Sequence, residues 1–436
     1  MSVEYDELRR PVRQPRLFGF ARLARHFMRR PAQTRKRPAR IALFGLFGCG
    51  NLGNDGSLEA MLGFLREARP DADLVCICAN PDLVAYRFQI ATLPISWSRH
   101  LQGRARRFDR AFLKIPGKLI DLAQTFWFLH DVELVIVPGT GILDDFGERP
   151  YGMPFDILRW CLFARLFGAR IAFVSIGAGP IRNRASRWLM TSAARLAHYR
   201  SYRDELSKIF MERAGFDTSR DLIYPDLAFN LPAPPTRERE ANRSGRLTIG
   251  VGAMSYYGWY GFDRGGEAIY ACYIAKLTQF VTYLLDQDHD VRLLIGEMTD
   301  QTAIDDIIRE ASNARPALAG ARIVAEPSHS LRELMSQIDQ TDAVVATRFH
   351  NIVCALKLGK PTLSLGYSRK NDVLMADMGL GAYCQHVERF EVGRLIDQFQ
   401  DLMAHRNNCE RKISKRTNLY LDELNRQDHH LLTTLI

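Results

Sequence analysis

"RIALFGLFGCGNLGNDGSLEAMLGFLREA", residues 40–68, passes from an apolar stretch through a turn-rich loop into an amphipathic segment. RIALFGLFG reads as a buried strand and its exit, CGNLGNDGS as a glycine loop, and LEAMLGFLREA as a helix with apolar residues at helical spacing. Similar units recur. DADLVCICAN, VELVIVPGTG and ARIAFVSIGAGP are short apolar runs that end in polar or glycine-containing loops, with helical segments between several of them. This alternation predicts a parallel sheet with helices on both faces, where ligands gather at the carboxyl ends of the strands.

At 436 residues the chain is long enough for two domains. The segment 230–246, NLPAPPTREREANRSGR, combines prolines with charge and lacks periodicity, as a linker would. Beyond it LTIGVGAM, DVRLLIGEM, ARIVAEP and DAVVATRFH repeat the strand-then-loop pattern, with helices such as ELMSQID between some of them. The expected fold class is therefore α/β, with two Rossmann-like open parallel sheets facing a cleft in the GT-B manner. The expected division is a basic extension over 1–40, a first domain over 41–230, a linker over 231–246, a second domain over 247–387 and a helical segment over 388–436.

The net charge of +10 is concentrated at one end, because residues 1–40 hold twelve Lys or Arg against three Asp or Glu, a net of +9. Within that extension LFGFARLARHFMRR, residues 17–30, sets apolar residues among arginines at helical spacing. The pattern is open between an amphipathic helix on an anionic membrane surface and a solvated tail. Arginines interrupt the apolar stretch, so it does not read as a secretory signal, and no apolar run is expected to reach the ~18 residues of a spanning helix. With a nearly neutral body and no recognition motif, nucleic acid is not an expected partner. Eight scattered cysteines form no zinc cassette and read as buried thiols of a reducing cytosol; Cys76 and Cys78 would share one face of a strand.

Several loops carry candidate chemistry. TDAVVATRFHNIVCALKLGKP, residues 341–361, runs a strand-like segment into Arg348, Phe349 and His350 and then into a helix. Two polar groups at a strand's end are expensive to bury unless a ligand or partner satisfies them. The loop GLFGCGNLGNDGS lacks a P-loop ending, and its Asn51 and Asp55 lead into a helix start that favours an anion. VIVPGTGILDD places Gly139 and Gly141 after a strand and the carboxylates Asp144 and Asp145 beyond them; acid/base work is one use of such a pair and helix capping the simpler one. SIGAGPI reads as a structural turn. YRSYRDELS sets Arg203 beside Asp204 at a helix start, where a guanidinium fork suits a carboxylate or phosphate. In MSYYGWYGFDRGG, Tyr256, Tyr257, Trp259 and Tyr260 are open between stacking on sugar rings and packing an interface.

GNLGNDGSLEAML, PGTGILDD, SIGAGP, YRSYRDELS, PDLAF and TRFHNIVCALKLGKPTLSLGYSRKNDVLMADMGL together resemble, in this order, the signatures of polysaccharide pyruvyl transferases. The likeness covers about residues 41–385. It implies a GT-B-like fold and transfer of pyruvate from phosphoenolpyruvate to two sugar hydroxyls, giving a cyclic ketal. By matching position it implies His350 as general acid and Arg203, Arg348 and Lys370 as donor-binding residues. Asn51, Asp55, Gly139, Gly141 and Tyr367 are then the expected acceptor or loop contacts, with no metal and no cofactor. The loop departs from the usual Gly-Asn-x-Gly-Asp order, because Asn54 precedes Asp55. The expected partner is a saccharide or lipid-linked oligosaccharide, and the expected location the cytoplasm, with residues 1–40 on the inner face of the membrane.

Two rival functions share these features. A nucleotide-sugar glycosyltransferase would use an acidic residue such as Glu297 for ribose but leaves TRFHN unexplained. A catalytically inactive, membrane-bound scaffold of a polysaccharide assembly complex would account for the basic extension but not for the retention of Arg203, Arg348 and His350 together.

Overall fold

The computed structural model describes residues 39–112, 114–235, 246–258 and 265–436. The basic extension up to Pro38, most of the linker, Trp259 and Tyr260 lie outside the described residues. Residues 39–436 form one compact unit.

The first sheet contains β1 (Arg40–Phe44), β2 (Asp73–Cys78), β3 (Ala91–Pro94), β4 (Leu134–Pro138), β5 (Arg170–Ile176), β6 (Tyr199–Tyr202) and β7 (Leu222–Ile223). All pairs are parallel, in the order β3-β2-β1-β4-β5-β6-β7. The second contains β8 (Thr248–Gly252), β9 (Asp290–Leu294), β10 (Ile323–Ala325), β11 (Ala343–Ala346), β12 (Thr362–Gly366) and β13 (Cys384–His386). Its order, β10-β9-β8-β11-β12-β13, is again parallel throughout. The strand order reverses between β1 and β4 in one sheet and between β8 and β11 in the other. Ligand crevices form at such switch points, beyond the carboxyl ends of the strands.

The central strands are apolar along their length because helices cover both faces. Alternate residues of β1 enter different cores: Ala42 and Phe44 pack in a cluster with Trp160, whereas Ile41 and Leu43 join one with Leu58 and Leu62. Cys76 and Cys78 share a face, as the period of two requires. The cluster holding Ile41 continues through Phe229 and Leu331 to Val251 and Val345, so the two sheets share a core.

Helix Gly266–Asp286 corrects the expectation about apolar runs, since it is long and apolar enough to cross a membrane. Half of its most apolar window is buried, with Tyr273, Leu277, Phe280 and Leu284 in the shared core. The segment after residue 388 forms helices Val392–Ala404 and Arg406–Thr434. The second crosses back to the first sheet. There the buried Gln427 Oε1 accepts from Ser201 Oγ at 2.7 Å and from Tyr199 OH at 3.3 Å, while its Nε2 donates to Ser175 Oγ at 3.0 Å.

Candidate active site

The loops after β1, β4, β8 and β11 converge, and with the segments after β9 and β12 they line a cavity of about 550 Å³. Cross-cleft pairing closes one wall. Leu52 N–H donates to Gly296 O at 3.3 Å and Met298 N–H to Gly50 O at 3.2 Å, which makes Asn51 and Glu297 bridge partners.

His350 sits in the first turn of helix Phe349–Lys357, reached directly from β11 through Thr347 and Arg348. Its imidazole projects across the cleft onto helix Leu52–Ala68, where a Cβ on Gly53 would fall 2.0 Å from Nδ1. Asn51 fixes the start of that helix, its Oδ1 accepting from Gly53 N–H at 3.1 Å and Asn54 N–H at 3.2 Å. His350 Nε2 has no hydrogen-bond partner among the described residues, and the nearest carboxylate oxygen, Asp226 Oδ2, is 3.7 Å away. Desolvation lowers the imidazole pKa below its ordinary 6.5; Asp226 opposes this, and the cations Arg203 and Lys370 reinforce it.

Asp226 belongs to the PDLAF segment and was not singled out from sequence. Burial pushes its carboxyl up, but His350, Arg203 and the Ala228 N–H together more than offset this and hold it down to about 2. The PDLAF motif was its only signal, since its neighbours come from positions far apart in the chain.

Arg203 follows β6 directly and has only 9% of its side chain exposed. Its guanidinium lies where a Cβ on Gly177 would come within 2.8 Å, so the SIGAGP turn is structural in the sense of making room for this cation. Nη1 reaches Asp226 at 3.4 Å, and Nε faces Asp204 Oδ2 at 3.6 Å, an ion pair too long for a hydrogen bond, with no hydrogen-bond partner among the described residues. An arginine so enclosed, with donors so poorly used, is suited to an anionic ligand. Lys370, in the first turn of helix Arg369–Asp377, stands 5.2 Å from the Phe349 ring centre and 5.0 Å from that of Tyr367.

Arg348 also lines the cavity, but its donors are engaged. Nε and Nη2 form a fork on Asp300 at 2.8 and 2.7 Å, and Nη1 reaches Glu297 at 2.7 Å. Asp300 is fully buried and also accepts from the Ser255 and Glu297 N–H groups.

The other expected contacts divide. Asn51, Gly141 and Tyr367 line the cavity. Asp55 and Gly139 do not. Asp55 is buried beneath the loop, accepting from Gly48 N–H at 2.7 Å and Arg87 Nη1 at 3.0 Å, and it holds the loop's shape. Gly139 has φ +55° and meets helix Leu52–Ala68, where a Cβ would fall 2.5 Å from Ser57 Oγ. The capping expected of Asp144 and Asp145 is also corrected, because the next helix begins only at Met153. Asp145 instead accepts from the Arg182 and Asn183 N–H groups, tying two loops together. Asp144 lines the cavity; burial raises its pKa, with Lys370 and Arg203 opposing. Tyr256 and Tyr257 line the cavity too.

A family model described as polysaccharide pyruvyl transferase matches residues 51–369, which contain all of these groups except Lys370, one position beyond the match. The chain belongs to the polysaccharide pyruvyl transferase family. Members are transferases, and the TRFHN, YRSYRDELS and PGTGILDD segments of this pyruvyl transferase all meet at one cavity. Among curated proteins no match is found. Among solved structures, a glycosyltransferase from Rickettsia africae is similar at TM-score 0.56 and 11% identity, over 92% of this chain and 99% of that one. A UDP-GlcNAc 2-epimerase from Methanocaldococcus jannaschii is similar at TM-score 0.52 and 11% identity, over 83% of this chain and 92% of that one. These likenesses show the fold, two parallel-sheet α/β domains of GT-B type.

Proposed function

We propose that this chain transfers pyruvate from phosphoenolpyruvate to two hydroxyls of a saccharide, forming a cyclic ketal and releasing phosphate. The observation that carries the reading is the convergence of an unpartnered His350 Nε2, the underused Arg203 fork and Lys370 in one cavity between the two switch points.

Arg203 and Lys370 hold the carboxylate and phosphate of the small trianionic donor. Arg348, already held by Asp300 and Glu297, shapes the wall and adds field more than direct grip. Negative charge brought by the donor raises the His350 pKa, so the imidazolium can protonate the donor's methylene carbon. The proton makes C3 a methyl group and C2 an oxocarbenium-like centre. The first sugar hydroxyl attacks C2, and Asp144, whose raised pKa suits a base, takes its proton. The second hydroxyl then forms the other C2–O bond as the C2–O bond to phosphate breaks, with the departing phosphate taking the last proton. Tyr257, stacked on Tyr270 at 4.6 Å on one side, offers its other face for the sugar ring, and the buried Tyr256 backs the wall beside it.

The acceptor is a saccharide or its lipid-linked precursor, and the place of action the cytoplasm. The nucleotide-sugar alternative loses its ribose-binding candidate, because Glu297 is paired with Arg348. Calorimetric titration with phosphoenolpyruvate tests the proposal: the intact protein and His350→Gln bind, and Arg203→Ala does not. Binding of a nucleotide sugar with no response to phosphoenolpyruvate would overturn it, and donor binding with no turnover on any saccharide would support the inactive-scaffold reading.

A further inference from the structure

Away from the cleft, helix Gly103–Ala111 and helix Ile115–Leu129 present a face that the proposed chemistry does not use. Arg104, Arg106, Arg107 and Arg110 are all exposed, and none makes an ion pair among the described residues. The one carboxylate of that helix, Asp109, is turned inward, where it accepts from Gly117 N–H at 2.7 Å. The outward surface is therefore purely cationic.

Beside these arginines lies an apolar strip. Ile115, Leu119 and Ile120 are exposed along the second helix, and Trp127 at its far end is 79% exposed. Phe108 and Phe112 extend the strip among the arginines, their ring centres 4.6 Å apart. Phe126 packs edge-on against Phe167 at 5.0 Å, a rigid base that leaves the Trp127 indole free to project. Leu166, on helix Met153–Leu166, widens the strip. Scattered exposed apolar residues are ordinary, but a contiguous aromatic and aliphatic strip edged by unpaired arginines marks an interaction surface.

We propose that this face docks on an anionic phospholipid bilayer, with the arginines at the headgroup phosphates and Trp127, Leu119 and Ile115 in the interfacial layer. Charge complementarity selects the occupant. Residues 1–38 carry a large excess of basic residues and would be repelled by four unpaired arginines, and a second copy of this face would bring like charges together. An anionic surface that also accepts indole and aliphatic groups satisfies both halves of the patch. This is surface attachment rather than spanning, since among the described residues the one helix long and apolar enough to span is half buried in the core.

The test is sedimentation of the full chain with phosphatidylcholine vesicles, with and without phosphatidylglycerol. Replacing Arg104, Arg106, Arg107 and Arg110 by Gln is expected to weaken binding to the anionic vesicles at least about tenfold, at roughly a severalfold loss per cation. Circular dichroism should be unchanged, since the altered side chains are exposed. In vesicles of brominated lipid the tryptophan emission is expected to be quenched, and Trp127→Phe to remove most of that quench. Undiminished vesicle binding by the arginine variant, or quenching indifferent to Trp127→Phe, would overturn the proposal and leave membrane attachment to residues 1–38 or to another surface. A dimer that the arginine variant converts to monomer, with no vesicle binding by either, would overturn it in favour of self-association.

Discussion

The His350 imidazole occupies the space where Gly53, on the opposite domain, would carry a side chain: a Cβ there would lie 2.0 Å from Nδ1. The ring's position is thus set by an absent methyl group 297 residues away in the chain, by packing rather than by a hydrogen bond at Nε2 among the described residues.

Gly53→Ala isolates that relationship. In a free helix this change stabilises by about 1 kcal/mol, so a loss of function here cannot come from helix propensity. Turnover is expected to fall at least about a hundredfold, as for a misplaced catalytic group, while phosphoenolpyruvate binding persists. Unchanged turnover would mean that the ring is not held by this contact.

Ring NMR of His350 should report a pKa below 6.5 in the free protein and a rise when phosphoenolpyruvate binds. The sign for stability follows from the same shift. A folded-state value below the unfolded one contributes stability above pH 6.5 that is lost as pH falls through the folded value. A ring that does not respond to the donor would remove His350 as general acid.

Asp226→Asn removes the carboxylate that raises the His350 pKa. The alkaline limb of the pH–rate profile, where the general acid loses its proton, is expected to move to lower pH, together with a fall in kcat. A merely structural role would lower the yield of folded protein and leave the limb where it was.

Arg203 and Arg348 should separate cleanly. Arg348→Ala strands the buried Asp300 and is expected to cost about 3 kcal/mol of stability in denaturant unfolding. Arg203→Ala, which removes longer ion pairs to Asp226 and Asp204 at 3.4 and 3.6 Å, is expected to cost less stability than Arg348→Ala and to raise KM for the donor. The reverse pattern would exchange the roles assigned to the two arginines.

Asp428, on the long C-terminal helix, accepts from Asn230 Nδ2 at 3.2 Å, and burial pushes its pKa up to about 7. A carboxyl raised in the fold contributes stability below its unfolded value of 3.8 that is lost as pH rises through 7. Asp428→Asn is therefore expected to raise Tm at pH 8 but not at pH 4, and an equal shift at both would discard this assignment.

The strands were legible because a sheet covered on both faces leaves continuous apolar runs, and β1, β4, β8 and β11 all announced themselves. His350 and Arg203 were legible because polar groups at strand ends ask for a partner. Arg348 was only half legible: its place at the cleft could be read, but Asp300, 48 positions earlier, is brought to it only by the fold. Asp144 was misread because capping is a local inference and no helix follows it closely. The use of Gly53 and Gly177 depends on what approaches them from elsewhere, which no local window contains. Helical period marked the C-terminal helix but not where it docks.

That docking has a consequence for synthesis. Ser175, Tyr199 and Ser201 obtain their shared amide only when Gln427, 226 positions after Ser201, emerges. A ribosome that has released the whole first sheet has therefore released a domain with an open polar slot, and the cleft acquires its final walls after translation of the second. Messages truncated upstream of that glutamine yield both sheets without their common strap, a product suited to proteolysis rather than to partial activity.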